Sequence, residues 1–278
     1  MKKSTTNEVT DMKIGFLGGG NMAGAIIRGM VQGGLTAADI LCFDIDAQKT
    51  FALREECGIT VCQTAEQLCE EAQVLVLAVK PQVFESVLSP LRAVLSVQRP
   101  LVISIAAGKT IESVETLIGT RLPFVRVMPN IAAKVGEAVA AYCSNELVTQ
   151  RHVETVYTIF ESVGTVVPLR ESQFGIFSVL ASCSPAYTLL YMNALATAGV
   201  RGGIPKDTAL QIVAQSVLGT AKLLLESGEH PSVLIDSVCS PGGTTVEGVC
   251  ALKAAGLEDA VLKAAAASLE KDKKLQNA

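Results

Sequence analysis

The 278-residue chain predicts an α/β protein in two parts, a doubly wound sheet domain over residues 1–167 followed by an all-helical domain over 168–278. Three observations predict it. Short β-branched runs, apolar on both faces, alternate with helical stretches through the first half, as in a parallel sheet covered by helices on both sides. Strand-like runs cease after about Val167, and long helical segments take their place. A run of three glycines separates the first strand from the first helix.

Each element can be justified in order. Lys13–Leu17 (KIGFL) reads as the first strand, Gly18-Gly19-Gly20 as a turn, and Asn21 to about Gln32 as an apolar-periodic helix. Ile40–Asp44 (ILCFD) is a second strand, with Phe51–Glu56 on the helix after it. Val61 marks a short third strand, and Thr64–Glu71 a short helix. Val74–Val79 (VLVLAV) is a fourth strand, apolar throughout and ended by Lys80-Pro81. Leu101–Ile105 is a fifth, closed by Ala106-Ala107-Gly108, with a helix from about Ile111 to Ile118. Phe124–Met128 is a sixth, stopped by Pro129-Asn130, and Ala138–Tyr142 and Thr165–Val167 add two more. Helices are then expected over roughly 171–199, 206–226, 231–237, 245–255 and 258–274, with 271–278 a frayed tail.

Composition narrows the function. Apolar residues make up 49% and charged residues 18%, against roughly 25% charged in an average soluble domain. That excludes disorder and predicts large buried surfaces, a subunit interface among them. The net charge is −4 and no long Lys/Arg cluster occurs, so no nucleic-acid partner is expected. The mean hydropathy of +0.41 raises the question of a membrane, and 172–200 carries no charge at all. Ser178, Ser182, Ser184, Pro185, Asn193 and Thr197 make that stretch too polar for lipid, so a helix buried in protein is expected instead. Met1–Asp11 has no apolar core, so no secretory signal is expected. None of the eight cysteines forms a C-x-x-C pair, and His152 and His230 stand at no zinc spacing. Even the closest group, Cys57, Cys62 and Cys69, reads as small apolar thiols in a reducing cytoplasm, with no metal.

Gly18-Gly19-Gly20-Asn21-Met22-Ala23 matches G-x-G-x-x-A between a strand and a helix. Gly18 allows the turn, Gly20 leaves room for a pyrophosphate, and Ala23 lets the helix pack on the strand. The helix N-terminus, at Asn21 and Met22, offers N–H groups and a favourable dipole to phosphates. A Rossmann-type dinucleotide site is the reading, with NAD or NADP in reduced form as hydride donor. Asp44 ends the second strand, where a carboxylate accepts the ribose hydroxyls and repels a 2′-phosphate, favouring NAD. The alternative is that Asp44 or Asp46 caps the helix beginning near Ala47. Val79, Lys80 and Pro81, then Ala106 and Ala107, then Asn130, all stand at carboxyl ends of strands, the edge where ligands collect. Lys80 is either a phosphate or ribose contact or a solvated residue before a helix-starting proline. Asn130 points at the nicotinamide amide or supplies left-handed turn geometry.

A second loop lies in the helical part. Ser240-Pro241-Gly242-Gly243-Thr244-Thr245 breaks one helix and starts another, presenting backbone N–H groups beside two hydroxyls. That geometry suits a small anion such as a carboxylate; an ordinary capped turn is the alternative. The stretch from Pro231 to Lys253 resembles the signature of the pyrroline-5-carboxylate reductase family. Gly18–Ala23, Val79–Gln82, Ala106–Gly108, Met128–Asn130, Ser184–Tyr187 and Ser227–Pro231 extend the resemblance over nearly the whole chain. The resemblance implies hydride transfer from NAD(P)H to the C=N carbon of 1-pyrroline-5-carboxylate, giving L-proline in the last step of proline biosynthesis. It implies Ser240, Gly243 and Thr244 on the substrate carboxylate and Thr245 on the ring nitrogen. It also implies a homodimer through the C-terminal helices, with rings of dimers in some members. Two departures stand out: Ser182-Cys183-Ser184 replaces a Gly-Ser-Gly, and Ile131-Ala132 replaces Thr-Pro after Asn130. They motivate a second reading, reduction of another cyclic imino acid. A third is a catalytically silent dinucleotide-binding paralogue, against which the intact 240–245 loop argues. A β-hydroxyacid dehydrogenase is set aside because 172–200 holds no lysine.

Overall fold

The structure, a computed structural model, describes residues 12–276. Among the described residues the chain divides into two compact units, one of residues 12–178 with 275–276 and the other spanning Val179–Lys274. In chain order the first unit runs β1 (Ile14–Leu17), α1 (Asn21–Gln32), β2 (Ile40–Phe43), α2 (Ala47–Cys57), β3 (Thr60–Val61), α3 (Ala65–Glu71) and β4 (Val74–Leu77). It continues with α4 (Phe84–Gln98), β5 (Leu101–Ser104), α5 (Ile111–Ile118), β6 (Phe124–Met128), β7 (Ala138–Ser144), α6 (Gln150–Glu161), β8 (Gly164–Pro168) and α7 (Phe174–Phe177). The expected absence of a signal over Met1–Asp11 lies outside the described residues.

Among the described residues, eight strands form one sheet in the order β3-β2-β1-β4-β5-β6-β7-β8. Side chains alternate between its faces. Ile14, Phe16, Val74, Val76 and Ile103 meet α1 and α6, through Ile26, Ile27, Met30 and Phe160. Leu17, Leu75, Leu77, Val102 and Phe124 meet α4, through Leu88, Leu91 and Leu95. Both faces are therefore core, which is why the strands read as unbroken apolar runs.

The sheet is not wholly parallel, as the strand pattern had suggested. β7 runs antiparallel to β6, pairing Val125 with Ser144 and Met128 with Ala141. The connection between them holds only a 3-10 turn, Ile131–Val135, and a parallel return needs a crossover of a dozen residues or more. β8 then pairs parallel with β7 after the crossover through α6.

The second unit holds α8 (Ser184–Arg201), α9 (Lys206–Ser227), α10 (Pro231–Val238), α11 (Thr244–Ala254) and α12 (Leu257–Gln276). Residues 271–276, expected to fray, continue α12, where Lys274 pairs with Glu270 one turn earlier; residues 277 and 278 lie outside the described range. α8 and α9 pack through Ala196, Ala209 and Val213. The Lys206 ammonium donates to Asn193 Oδ1 at 2.7 Å and Thr197 Oγ1 at 3.1 Å.

The expected boundary lay at 167/168; by compactness the units part between Ser178 and Val179. The intervening residues are fastened to the sheet. Arg126 of β6 is buried, pairs with Glu171 at 3.0 Å and stacks on Phe174 at 4.5 Å. Glu171 also accepts the N–H of Ile111, the first residue of α5, at 2.9 Å. The uncharged stretch 172–200, expected to be buried by a second subunit, is largely uncovered within one chain. Ala196 is the one buried residue of α8, and Leu189, Leu190, Leu218, Leu223 and Leu225 of α8 and α9 are exposed. By length and composition alone, Glu171–Arg201 and Lys206–Ser227 each suffice to cross a membrane.

Candidate dinucleotide and carboxylate sites

The turn after β1 is shaped by two glycines for different reasons. Gly18 has φ +110°, and a Cβ there would stand 2.8 Å from the Ala78 carbonyl oxygen. Only glycine takes that conformation without strain. Gly20 is extended, and an added Cβ would meet no protein atom within 4 Å. The open space lies at the start of α1, which has no side-chain cap. Ala23 is buried against the sheet, while Asn21 is exposed and Met22 half-buried at the helix mouth. These residues fit a dinucleotide: the gap at Gly20 admits a pyrophosphate, and the helix N-terminus attracts it.

Asp44 and Asp46 separate into two roles. Asp46 is the N-cap of α2, its carboxylate accepting the Gln48 N–H at 3.2 Å. Asp44 instead accepts the N–H of Gly19 at 2.8 Å and that of Asp46 at 2.9 Å. Asp44 thus braces the glycine turn rather than capping the helix.

The remaining predicted contacts gather along the carboxyl edge of the sheet. Val79 is half-buried, and Lys80 is exposed and opens the 3-10 turn Pro81–Val83. Ala106 is buried and Ala107 exposed just after β5, where the Ser104 hydroxyl accepts the Ala106 N–H at 3.4 Å. Asn130 is buried with φ −114°, so the left-handed alternative fails. Its Oδ1 accepts the Val139 N–H at 3.2 Å and ties the β6–β7 turn. Ile131, next to it, is 58% exposed.

In the helical unit, Ser240 to Thr244 form a tight elbow between α10 and α11. Gly242 has φ +67°, and the Gly243 N–H donates to the Ser240 carbonyl at 3.0 Å. The Ser240 hydroxyl folds over Gly243, filling the space a Cβ would take. Gly243 is the N-cap of α11 without a side-chain cap, so the Thr244 capping alternative is not realised. Ser240, Gly243 and Thr244 therefore converge on one helix N-terminus, with Thr245 exposed one residue on. A carboxylate is the ligand such a bend suits. His230 is structural, its Nδ1 accepting the Ser232 N–H at the start of α10.

The departures at 182–184 fall where the helix loosens to π geometry, Ser178–Cys183, and the Ser184 hydroxyl donates back to the Leu180 carbonyl. Such bulges often mark functional positions. The Arg126–Glu171–Phe174 cluster was not foreseen, although an arginine inside the apolar strand FVRVM was its signal. Next to it, burial and the Glu171 charge push the Cys143 thiol up to about 12, against an opposing pull from Arg126.

Known proteins match both units. A family model described as pyrroline-5-carboxylate reductase dimerisation matches residues 171–275, and one described as NADP oxidoreductase, coenzyme F420-dependent, matches 13–108. The pyrroline-5-carboxylate reductase of Escherichia coli is 36% identical over 266 residues, covering 95% of this chain and 98% of the relative. A solved structure of that enzyme from Coxiella burnetii superposes with a TM-score of 0.91 at 34% identity, covering 95% and 98% of the two chains. One from Plasmodium falciparum, solved with NADP bound, gives 0.83 at 29% identity, covering 96% and 99%. At 36% identity over 95% of its length, the chain belongs to the pyrroline-5-carboxylate reductase family.

Proposed function

We propose that this protein reduces 1-pyrroline-5-carboxylate to L-proline, the last step of proline biosynthesis. The elbow at Ser240–Thr245 carries the reading, because a dinucleotide site alone serves many reductions and this elbow selects an acceptor bearing a carboxylate. A bound NADH or NADPH supplies the hydride. Gly18, Gly20 and the amides at Asn21 and Met22 hold its pyrophosphate, with Ala23 keeping the helix close. Val79, Lys80, Pro81, Ala106, Ala107 and Asn130 border the rest of it. Ser240, Gly243 and Thr244 grip the substrate carboxylate, and the Thr245 hydroxyl hydrogen-bonds the ring nitrogen. No general acid is required, since a cyclic imine is basic enough to arrive protonated and is then already electrophilic. The chain's work is chiefly positioning, and Thr245, with no suitable pKa of its own, serves as a hydrogen-bond partner.

The apolar faces of α8 and α9 support a homodimer, since monomers rarely expose so much contiguous apolar surface. Rings of dimers, a cytoplasmic location, and the absence of nucleic-acid and membrane partners belong to the same reading. The test is oxidation of NADH and NADPH with pyrroline-5-carboxylate, with proline identified as product. Turnover confined to six-membered ring imines would instead favour another cyclic imino acid, the reading to which exposed Ile131 lends itself.

A further inference from the structure

We propose that the ribose end of the dinucleotide site discriminates against a 2′-phosphate, making NADH the better hydride donor and Asp44 with Asp46 the residues that decide it. The proposal rests on the dinucleotide site in the first unit and is independent of which imine is reduced.

The Asp44 side chain is only 13% exposed and is fixed from two sides. Its Oδ2 accepts from Gly19, the residue between the two site glycines, and its Oδ1 from Asp46 at the start of α2. The carboxylate therefore hangs at the carboxyl end of β2, beside the glycine turn, where the adenosine ribose of a dinucleotide lies. Each oxygen keeps a second lone pair, enough to accept from the 2′- and 3′-hydroxyls. A 2′-phosphate adds about −1.5 to −2 charges at that place, as phosphate monoesters do.

The surrounding charge makes matters worse for it. Among the described residues, Lys49 is the cation in ion-pair reach of either carboxylate, 3.6 Å from Asp44 and 3.5 Å from Asp46. Two carboxylates and one ammonium leave this trio one net negative charge. Arg54, which lines the same cavity as Asp44, is held by pairing with Glu55 and stacking on Phe51. Asp44 cannot swing away without releasing the Gly19 N–H, so the repulsion is built into the turn that holds the pyrophosphate.

The test needs no imine. Fluorescence titration of the purified protein with NADH and with NADPH is expected to give tighter binding of NADH by about tenfold or more, a value between the scale of one charge contact in bulk water and that near a protein surface. Asp46→Ser keeps a capping hydroxyl on α2 and leaves the Gly19 brace intact. It is expected to narrow that ratio several-fold by strengthening NADPH alone. Asp44→Ser should narrow it further, and 2′,5′-ADP, a poor competitor of NADH on the wild type, should become a good one. Equal or tighter binding of NADPH by the wild type would overturn the proposal, as would an unchanged ratio in Asp46→Ser. Tight NADH binding without turnover of pyrroline-5-carboxylate would count against the proposed function and leave this inference standing.

Discussion

At the scale of single residues, the two glycines of the first turn make opposite predictions. Gly18→Ala forces a side chain into a positive φ and onto the Ala78 carbonyl. It should lower stability by about 1–3 kcal/mol, measured as a fall in Tm. At Gly20 an added Cβ meets no protein atom within 4 Å beyond its chain neighbours. Gly20→Val should fold with a Tm lowered only by the loss of a favoured N-cap residue, about 1 kcal/mol, yet bind neither NADH nor NADPH in titration. Thr245→Ala should cut kcat about 10–100-fold, the loss of one hydrogen bond to a charged nitrogen, with dinucleotide affinity unaltered. Both loops were legible because glycine and proline at fixed offsets report backbone geometry directly. The division of labour between Asp44 and Asp46 was not, since two carboxylates two residues apart serve equally well as helix caps on paper. Arg126 was missed for a related reason: its partner Glu171 lies 45 residues away, and spacing carries no trace of such a pair.

At the scale of elements, the sequence resolved every strand and the glycine-initiated helix to within a few residues. α4 escaped, although Phe84, Leu88, Leu91 and Leu95 bury a regular stripe, because Pro90 interrupts it where proline normally ends a helix. α6 escaped as well; its signals, the Thr149 cap and the stripe ending in Ile159 and Phe160, are short. The reversal of β7 depended on the length of one connection rather than on any residue type. Packing between elements also yields a prediction. A Cβ on Gly29 of α1 would collide with the Val163 side chain and approach the Ser162 carbonyl at 2.7 Å. Gly29→Ala should therefore cost about 1–3 kcal/mol in urea unfolding, the usual penalty of overpacking.

For the whole molecule, composition forecast more burial than one chain achieves. Leu225 is 85% exposed and α8 buries a single residue, so the missing cover falls to a second copy in the proposed dimer. Buried thiols set a further property of the folded protein. Burial pushes Cys42, Cys69 and Cys143 up to about 12 and Cys62 up to about 11, from an ordinary value near 9. Folded-state values raised in this way give stability that is complete below pH 9 and lost as pH climbs toward 12, because the unfolded chain releases those protons first. Tm should accordingly hold steady from pH 7 to 9 and fall above it. The account as a whole rests on a hydride passing to the C=N carbon of an imine held by its carboxylate, and isotope transfer reads that event directly. Turnover of pyrroline-5-carboxylate with NADH carrying deuterium at the transferred C4 position should yield proline bearing one deuterium, located at C5 by mass spectrometry. Proline without the label, or label transferred only to some other acceptor, would contradict it.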